Sequence, residues 1–304
     1  MNGLARVAVT GASGFVGRAV IAALLADRPV TAVRGLVRDP ARDVALLPAG
    51  LALRAADVTR PETLRGAFDG MDAVVHTVAI PTERRASFAA VNVAGTRAVV
   101  AEAERAGVGL LVHLSAIGAS PASPYPFLRS KGDGEAAVTG SSIPHLVLRP
   151  SVLFGPGDDF FPRLRFSLRF PVVPLPGGGR ARFQPLHVAD LAAAIHRALA
   201  DGITGTHEVG GPEAVSYREL LAETMRGSGA RRPTVPLPVP LVKPAAFVFE
   251  RLFADPPVTV AQLDLLAVDN TPHPNALGPV FSIVPRPFLG GGLSYLRTGV
   301  AGPK

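Results

Sequence analysis

The chain of 304 residues contains no cysteine. Disulfides, thiolate metal sites and cysteine nucleophiles are therefore excluded, and thiols say nothing about the redox state of its compartment. Lysine is nearly absent too. Only Lys131, Lys243 and Lys304 occur, so the formal net charge of +7 is almost all arginine. With abundant Ala, Gly and Pro this looks like a coding bias toward arginine, and it makes Lys131 stand out as a position where arginine does not serve. Tyrosine is as scarce, at Tyr125, Tyr217 and Tyr295. The arginines are scattered and few aromatics interleave with them, so the basic balance is weak support for nucleic-acid recognition and no such partner is expected. No apolar run approaches the length that spans a bilayer, so no transmembrane segment is expected. The strand-like "ARVAVTG" begins at Ala5 and leaves no room for an export signal, which makes a soluble, cytoplasmic chain the expectation.

What is present is an ordinary globular balance, 48% hydrophobic and 18% charged, in a chain long enough to bury a substantial core. In the first half, "RVAVTG" (6–11), "TAVRGLVR" (31–38), "LALRAADV" (51–58), "DAVVHTVA" (72–79), "GLLVHLSA" (109–116) and "HLVLRP" (145–150) read as buried strands. Helical patterns fall between them at about 14–26, 61–68, 87–106 and 126–139. This alternation predicts an α/β fold of Rossmann type: a doubly wound parallel sheet covered by helices on both faces. From about Gly155 the pattern changes. Loops rich in Pro and Gly alternate with helices near 188–200 and 216–226, and the proline-dense "RRPTVPLPVPLVKP" (231–244) sets off the last part of the chain. The expected organisation is a nucleotide-binding domain over 1–211, with a lobe insertion near 155–183, and a smaller C-terminal lobe over 212–304.

In "VTGASGFVGRAV" (9–20), Gly11, Gly14 and Gly17 follow the first strand and open a helix. Gly11 suits a tight turn, Gly14 lets the backbone approach a pyrophosphate, and Gly17 lets the helix pack close to the sheet. The exposed amides and the helix dipole then favour the phosphates of a dinucleotide. The second strand ends "LVRDP". Arg38 there can make paired, charge-assisted hydrogen bonds to the 2′-phosphate of NADP, with Arg34 as a possible assistant, while Asp39 keeps NAD open. Asp57, closing the third strand, is a candidate for hydrogen-bonding the adenine or else a solvated loop carboxylate. Ser13 and Phe15 in the turn, Val58 beside Asp57, and Ala79 at the end of the fourth strand complete the expected cofactor-binding set with Lys131.

With these residues in view, the chain resembles the extended and atypical short-chain dehydrogenase/reductase family. "TGASGFVG" is joined, in the family's order, by "ADV" (56–58), "VNVAGT" (91–96), "RSKGDGE" (129–135), "LRPSVLFGPGD" (149–158) and "HVADLA" (187–192), so the resemblance covers roughly residues 4 to 270. Within the family it is most similar to the nucleotide-binding accessory subunit of respiratory complex I and its bacterial relatives, through "LRSKGDGE", "RFQPLHVADLAAAI" (182–195), "VGGPEAVSYRELL" (209–221) and "PPVTVAQLDLLAVDN" (256–270). The resemblance implies that Lys131 binds the nicotinamide ribose and lowers the pKa of a tyrosine four residues earlier. It also implies a substrate-orienting serine at the end of the fifth strand, either Ser115 or the position of Ala116.

Four residues before Lys131 stands Phe127, which can fill the space of a tyrosine but has no proton to exchange. Tyr125 lies between Pro124 and Pro126 and is expected before the helix, off the face of Lys131. Tyr217 and Tyr295 occur in late segments with no reason to converge. The expectation is NADP(H) binding, NADPH favoured, without ordinary dehydrogenase turnover, as a structural or accessory subunit of complex I. The alternative is an active oxidoreductase or epimerase with a non-standard proton donor. Asp158 and Asp159 read as a solvated turn, and His113 as a satisfied core histidine. His76, His113 and His187 have no ligand spacing, so no metal site is expected. Finally, "PTVPLPVPLVKPAAFVFERLF" (233–253) combines an extended proline segment with an apolar helix near 244–253, carrying Phe249 and Phe253. It is a candidate for docking on complex I or a membrane surface, which would place the chain peripherally on the inner face of the cell membrane.

Overall fold

Apolar runs form the middle strands of the central sheet, Ala73–His76 and Leu110–Leu114 being buried throughout, because a strand covered on both faces has no polar side to show; the edge strand Ala52–Ala55 is only partly buried. The computed structural model describes residues 6–26, 30–252, 263, 265–266 and 268–297. In chain order these form β1 (Arg6–Thr10), α1 (Phe15–Ala26), β2 (Ala32–Val37), α2 (Pro40–Asp43), β3 (Ala52–Ala55), α3 (Pro61–Leu64), β4 (Ala73–His76), α4 (Gly95–Arg105), β5 (Leu110–Leu114), α5 (Pro126–Thr139) and β6 (His145–Pro150). There follow β7 (Leu153–Phe154), α6 (Phe160–Ser167), β8 (Val173–Pro176), β9 (Arg182–Phe183), β10 (Leu186–His187), α7 (Val188–Asp201), β11 (Gly205–Val209), β12 (Val215–Ser216), α8 (Tyr217–Ser228), β13 (Thr234–Leu237) and α9 (Val239–Leu252).

The main sheet has seven strands in the order β11-β6-β5-β4-β1-β2-β3, with parallel pairing at each of the five junctions from β6 to β3. This is the doubly wound Rossmann arrangement. Val7, Val9, Val75, Leu111 and Leu148 are fully or almost fully buried along its middle. On one face Ala8, Val74, Leu111 and Val147 pack with Phe68, Val99, Ala103 and Val138. A π-helical turn over Ala89–Ala94 leads directly into α4.

Contact density divides the chain into two compact units. The first comprises Met1–Pro150, Ala189–Glu208 and Ala276–Ile283; the second comprises Ser151–Val188, Val209–Asn275 and Val284–Lys304. The second unit is built from small sheets: β7 with β10, β9 with β12, and β8 with β13. Its core gathers Phe154, Phe161, Leu175, Leu220 and Phe288. Ser216 closes the start of α8 with a capping box to Glu219, and Gly229 ends the helix at φ 71°.

Several elements differ from expectation. The helix expected over 61–68 stops at Leu64: Gly66 turns at φ 70° and donates its amide to Glu102. The stretch after Asp159, read as loop, contains α6, whose first turn is held by a hydrogen bond from the Phe161 amide to Asp158 Oδ1 (2.8 Å). The proline segment is partly strand, since β13 pairs in parallel with β8 despite Pro236. The helix expected near 244–253 begins earlier, at Val239, and carries Pro244 inside it. Phe253 lies outside the described residues, as does the side chain of Phe249.

Candidate nucleotide site

The site follows from where the strand order reverses. β1 and β4 are neighbours, but the chain leaves them in opposite lateral directions, so a crevice opens beyond their carboxyl ends. Gly11 follows β1 with φ 69°, and a Cβ there would meet Thr77 Oγ1 at 2.9 Å. Thr77 in turn donates to the Thr10 carbonyl (2.7 Å), which ties the two strand ends together. At Gly17 a Cβ would stand 2.2 Å from the Gly11 carbonyl oxygen. Only glycine lets α1 approach the turn that closely. At Gly14 an added Cβ would meet nothing but the Gly11 oxygen, at 3.1 Å, so the outer side of the turn is open. The first-turn amides of α1, around Phe15, lack helical acceptors by geometry and supply an anion cradle. Ser13 donates its hydroxyl to Asp43 (2.7 Å), and Arg18 clasps the Ser13 carbonyl (2.6 Å). The open turn, the amides and the glycine contacts fit a nicotinamide dinucleotide.

Beside this turn, Arg38 is exposed just past β2 and makes no hydrogen bond or close ion pair among the described residues. Its positive charge nevertheless reaches Asp43 and Asp57. Burial pushes the Asp43 carboxyl up, but hydrogen bonds from Ser13 and Arg42 outweigh it and the net direction is down, with Arg38 contributing. Asp57 behaves likewise: burial is overcome by two hydrogen bonds from Thr59, again with help from Arg38. Arg34 does not join this group. Its guanidinium donates to the carbonyls of Ala67 (2.9 Å) and Asp69 (3.2 Å), so it is spent on a loop and corrects its reading as an assistant to Arg38. Asp39 is exposed and caps α2 by accepting from the Arg42 amide. Val58 is buried against the start of α4, where a Cβ on Gly95 would meet it at 2.8 Å.

Past β4, Ala79 is exposed, and the sheet's end is laced by a buried polar chain that sequence reasoning left without roles. His76 Nδ1 pairs with Thr10 Oγ1 (2.8 Å) and its Nε2 with Thr96 Oγ1 (3.2 Å), while Thr96 donates to the Asn92 carbonyl. The Asn92 side chain bonds both backbone groups of Ile80 and donates to Ser130 Oγ, which donates to the Phe127 carbonyl. "VNVAGT" and "RSKGDGE" carried these residues; their signal was the motif, not the bonding.

Lys131 is 4% exposed and donates its ammonium to the Leu114 carbonyl (2.5 Å) at the end of β5. Burial pushes it down to about 8, partly opposed by the charge of Glu135, itself held bidentately by Arg149. Ser115 is buried and its hydroxyl has no partner among the described residues. His113 corrects an expectation. It is buried as foreseen, but neither ring nitrogen has a partner among the described residues, and its ring stacks on His76 at 5.4 Å. Burial and the Lys131 charge push both imidazoles down, His76 to about 3. Phe127 is half-buried against Phe88, with ring centroids 6.0 Å apart. Tyr125 takes the position before α5, with φ −88° and ψ 118°.

In the second unit, Asp159 is exposed but Asp158 is not a solvated turn residue. It is 2% exposed, accepts from Tyr295 and from the Phe161 amide, and burial pushes its carboxyl up to about 6. Tyr217 is buried against Phe183. His187 packs edge-on against Phe154 at 5.0 Å. Among the described residues no cluster of three His, Cys, Asp or Glu could hold a metal ion, and no helix is long and apolar enough to cross a membrane.

Fold and turn together define a nicotinamide-dinucleotide-binding protein of oxidoreductase type. A family model described as NAD(P)H-binding matches residues 11–159. NADH dehydrogenase (ubiquinone) 1 alpha subcomplex subunit 9, mitochondrial, of Arabidopsis thaliana is 31% identical over 249 residues, which is 78% of this chain and 61% of that protein's length. Ceramide reductase of Caulobacter vibrioides is 31% identical over 246 residues, 77% of this chain and 74% of that protein. Among solved structures, an NADPH-dependent quinone oxidoreductase from Escherichia coli complexed with NADPH shares the fold with a TM-score of 0.75 at 22% identity, over 95% of this chain and 99% of that one. The chain belongs to the atypical short-chain dehydrogenase/reductase family, to which both its complex I and its reductase relatives are similar.

Proposed function

We propose that this chain holds NADP(H), NADPH by preference, without ordinary dehydrogenase turnover, and serves as a structural or accessory subunit of respiratory complex I. The observation that carries the reading is the contrast between Arg38, an exposed cation without a close partner among the described residues, and Phe127, an apolar ring at the proton-transfer position. When bound, the nicotinamide supplies or accepts a hydride. This chain's residues then have the task of binding and orientation: Gly11, Gly14 and Gly17 for the pyrophosphate, Arg38 for the 2′-phosphate, Asp57 for the adenine and Lys131 for the nicotinamide ribose. No phenol stands four residues before Lys131 to hand a proton to a substrate. The likeness to a complex I subunit supports the accessory role, and with it we assign the chain a peripheral place on the inner face of the cell membrane. The likeness to ceramide reductase favours a second reading, turnover with a different proton donor.

Calorimetric titration of NADPH and NADH against the unaltered protein and Arg38→Ala tests the cofactor assignment. The expected result is a selective loss of NADPH affinity worth about 1.5–3 kcal/mol, the scale of a charge-assisted hydrogen bond. Equal affinities, or an equal loss for both nucleotides, overturn it. Native purification with identification of co-purifying proteins tests the accessory role. Robust hydride transfer to carbonyl substrates by the unaltered protein establishes the second reading instead.

A further inference from the structure

The second compact unit carries its charge unevenly. From Phe160 to Val188 there are five arginines and no aspartate or glutamate; from Thr224 to Phe249 there are three arginines, one lysine and again no acid. The fold lays parts of these two acid-free segments side by side. β8 and β13 pair with Val173 opposite Thr234, the Val173 amide donates to the Pro233 carbonyl (3.0 Å), and Arg232 Nε donates to the Leu168 carbonyl (2.8 Å). The stretch 165–172 therefore adjoins 231–235.

Apolar side chains crowd this junction without being buried by it. Phe166 is 36% exposed, Phe170 39%, and Val172 and Val235 42% each. The two phenylalanine rings meet edge-on at 6.4 Å, and the Arg169 guanidinium lies over the Phe166 ring at 4.8 Å. Arg231 and Arg232 are exposed beside them. The same unit buries Phe154, Phe161 and Phe288 completely, so space inside was not the constraint. α9, which packs against β8, continues the pattern with Leu241 66% exposed and Arg251 over the Phe247 ring at 4.3 Å.

We propose that this face binds the surface of a bilayer containing anionic phospholipids. Phe166, Phe170, Val172 and Val235 enter the boundary between headgroups and acyl chains, and Arg169 and Arg231 sit at the level of the phosphates. A bilayer suits it better than a folded acidic partner: scattered apolar tips ringed by arginine need a yielding apolar medium under negative charge, not a complementary shape. Nucleic acid is disfavoured because aliphatic Val172 and Val235 offer bases nothing to stack on or bond to. The inference rests on the docking part of the proposed function and not on the nucleotide part.

The test is sedimentation with vesicles of phosphatidylcholine alone and of phosphatidylcholine mixed with phosphatidylglycerol, at low and high salt. Binding is expected only to the mixed vesicles and is expected to weaken as salt screens it. Arg169→Gln and Arg231→Gln should each lower partitioning about five-fold. The chain has no tryptophan, so Phe170→Trp is a single reporter, expected to shift its emission to the blue on mixed vesicles. Val284→Trp, at a site 91% exposed in the same unit, is the control expected to stay unchanged. Equal binding to both vesicle types, undiminished binding by the arginine variants, or an unmoved Phe170→Trp emission overturns the proposal. So does failure to bind any vesicle, including the case in which the same arginines are needed to hold an acidic protein. An NADPH titration on each preparation keeps the two readings apart: vesicle binding without nucleotide binding sinks only the cofactor assignment, and the converse sinks only this one.

Discussion

The two ends of the candidate nucleotide site lie in the same compact unit and answer to different constraints. At the ends of β1, β2 and β3 the required features are backbone shape, amides and a charge. A Cβ at Gly17 would stand 2.2 Å from the Gly11 carbonyl oxygen, so this turn cannot change without disturbing α1 and the sheet beneath it. At the ends of β5 and α5 the required features are individual atoms. Lys131 is held to the Leu114 carbonyl, but Ser115 and His113 stand buried without hydrogen-bond partners among the described residues and Phe127 has no hydroxyl. Binding geometry is thus part of what folds the unit, whereas a half-buried tyrosine can become phenylalanine at little cost to folding. Chemistry can be lost from such a scaffold far more easily than the nucleotide cradle can.

The contrast predicts a descending series of effects. Gly17→Val should be the most damaging, destabilising by about 3 kcal/mol or more through overpacking against backbone, with nucleotide affinity lost alongside; thermal unfolding and titration read both. A valine there that left stability untouched would remove the structural half of the contrast. Next comes pH. His76 and His113 stay neutral in the folded chain far below their ordinary 6.5, while the unfolded chain takes up protons there. The unfolded state therefore binds more protons, and stability should fall as pH drops from about 6.5 toward about 3, by on the order of a few kcal/mol. His113→Phe should flatten that acid limb while leaving neutral-pH stability equal or higher, since two unsatisfied buried nitrogens are removed. The Arg38→Ala loss, at about 1.5–3 kcal/mol of NADPH affinity, should appear with folding unchanged. Smallest is Phe127→Tyr: stability within about 1 kcal/mol and at most trace turnover, because a phenol by itself supplies a proton but no substrate-binding contacts. Substantial turnover by that variant would show that one atom alone separated the two ends.

The inner strands that carry the site were legible because both their faces are buried, so "AVVH" and "LLVHL" read as continuous apolar runs; β3, partly exposed at one edge, was legible from its Ala- and Leu-rich sequence alone. β11 was not, since "GTHEV" at the sheet's edge is largely exposed and polar. α6 was hidden by its glycine- and proline-rich approach, because its start is fixed by the long-range burial of Asp158 and not by a local helical pattern. In the candidate site, the tight turn at Gly11 and Gly17 and the exposed place of Arg38 could be read from the sequence because each follows the end of a strand. Spacing alone displaced Tyr125 from the face of Lys131. The His76–Thr96–Asn92–Ser130 chain could not be found that way: its members are spread over three elements and a π-helical turn, and only the folded chain brings their atoms within bonding distance. Arg34 and Arg38 are the same residue type four apart on one strand and its exit, yet one is spent on carbonyls and the other is free of close partners among the described residues.

The bond between Tyr295 and Asp158 joins positions 137 residues apart. Each shapes what its counterpart tolerates. Phenylalanine at 295 leaves a buried carboxyl one donor short, and an apolar residue at 158 takes an acceptor from a half-buried phenol hydroxyl, whereas both changes together remove the mismatch. Among homologues, then, the two columns should drift as a couple: polar with polar, greasy with greasy, and seldom mixed. A late stretch with little pattern of its own would in that way carry a legible inheritance, written not in either residue but in their agreement.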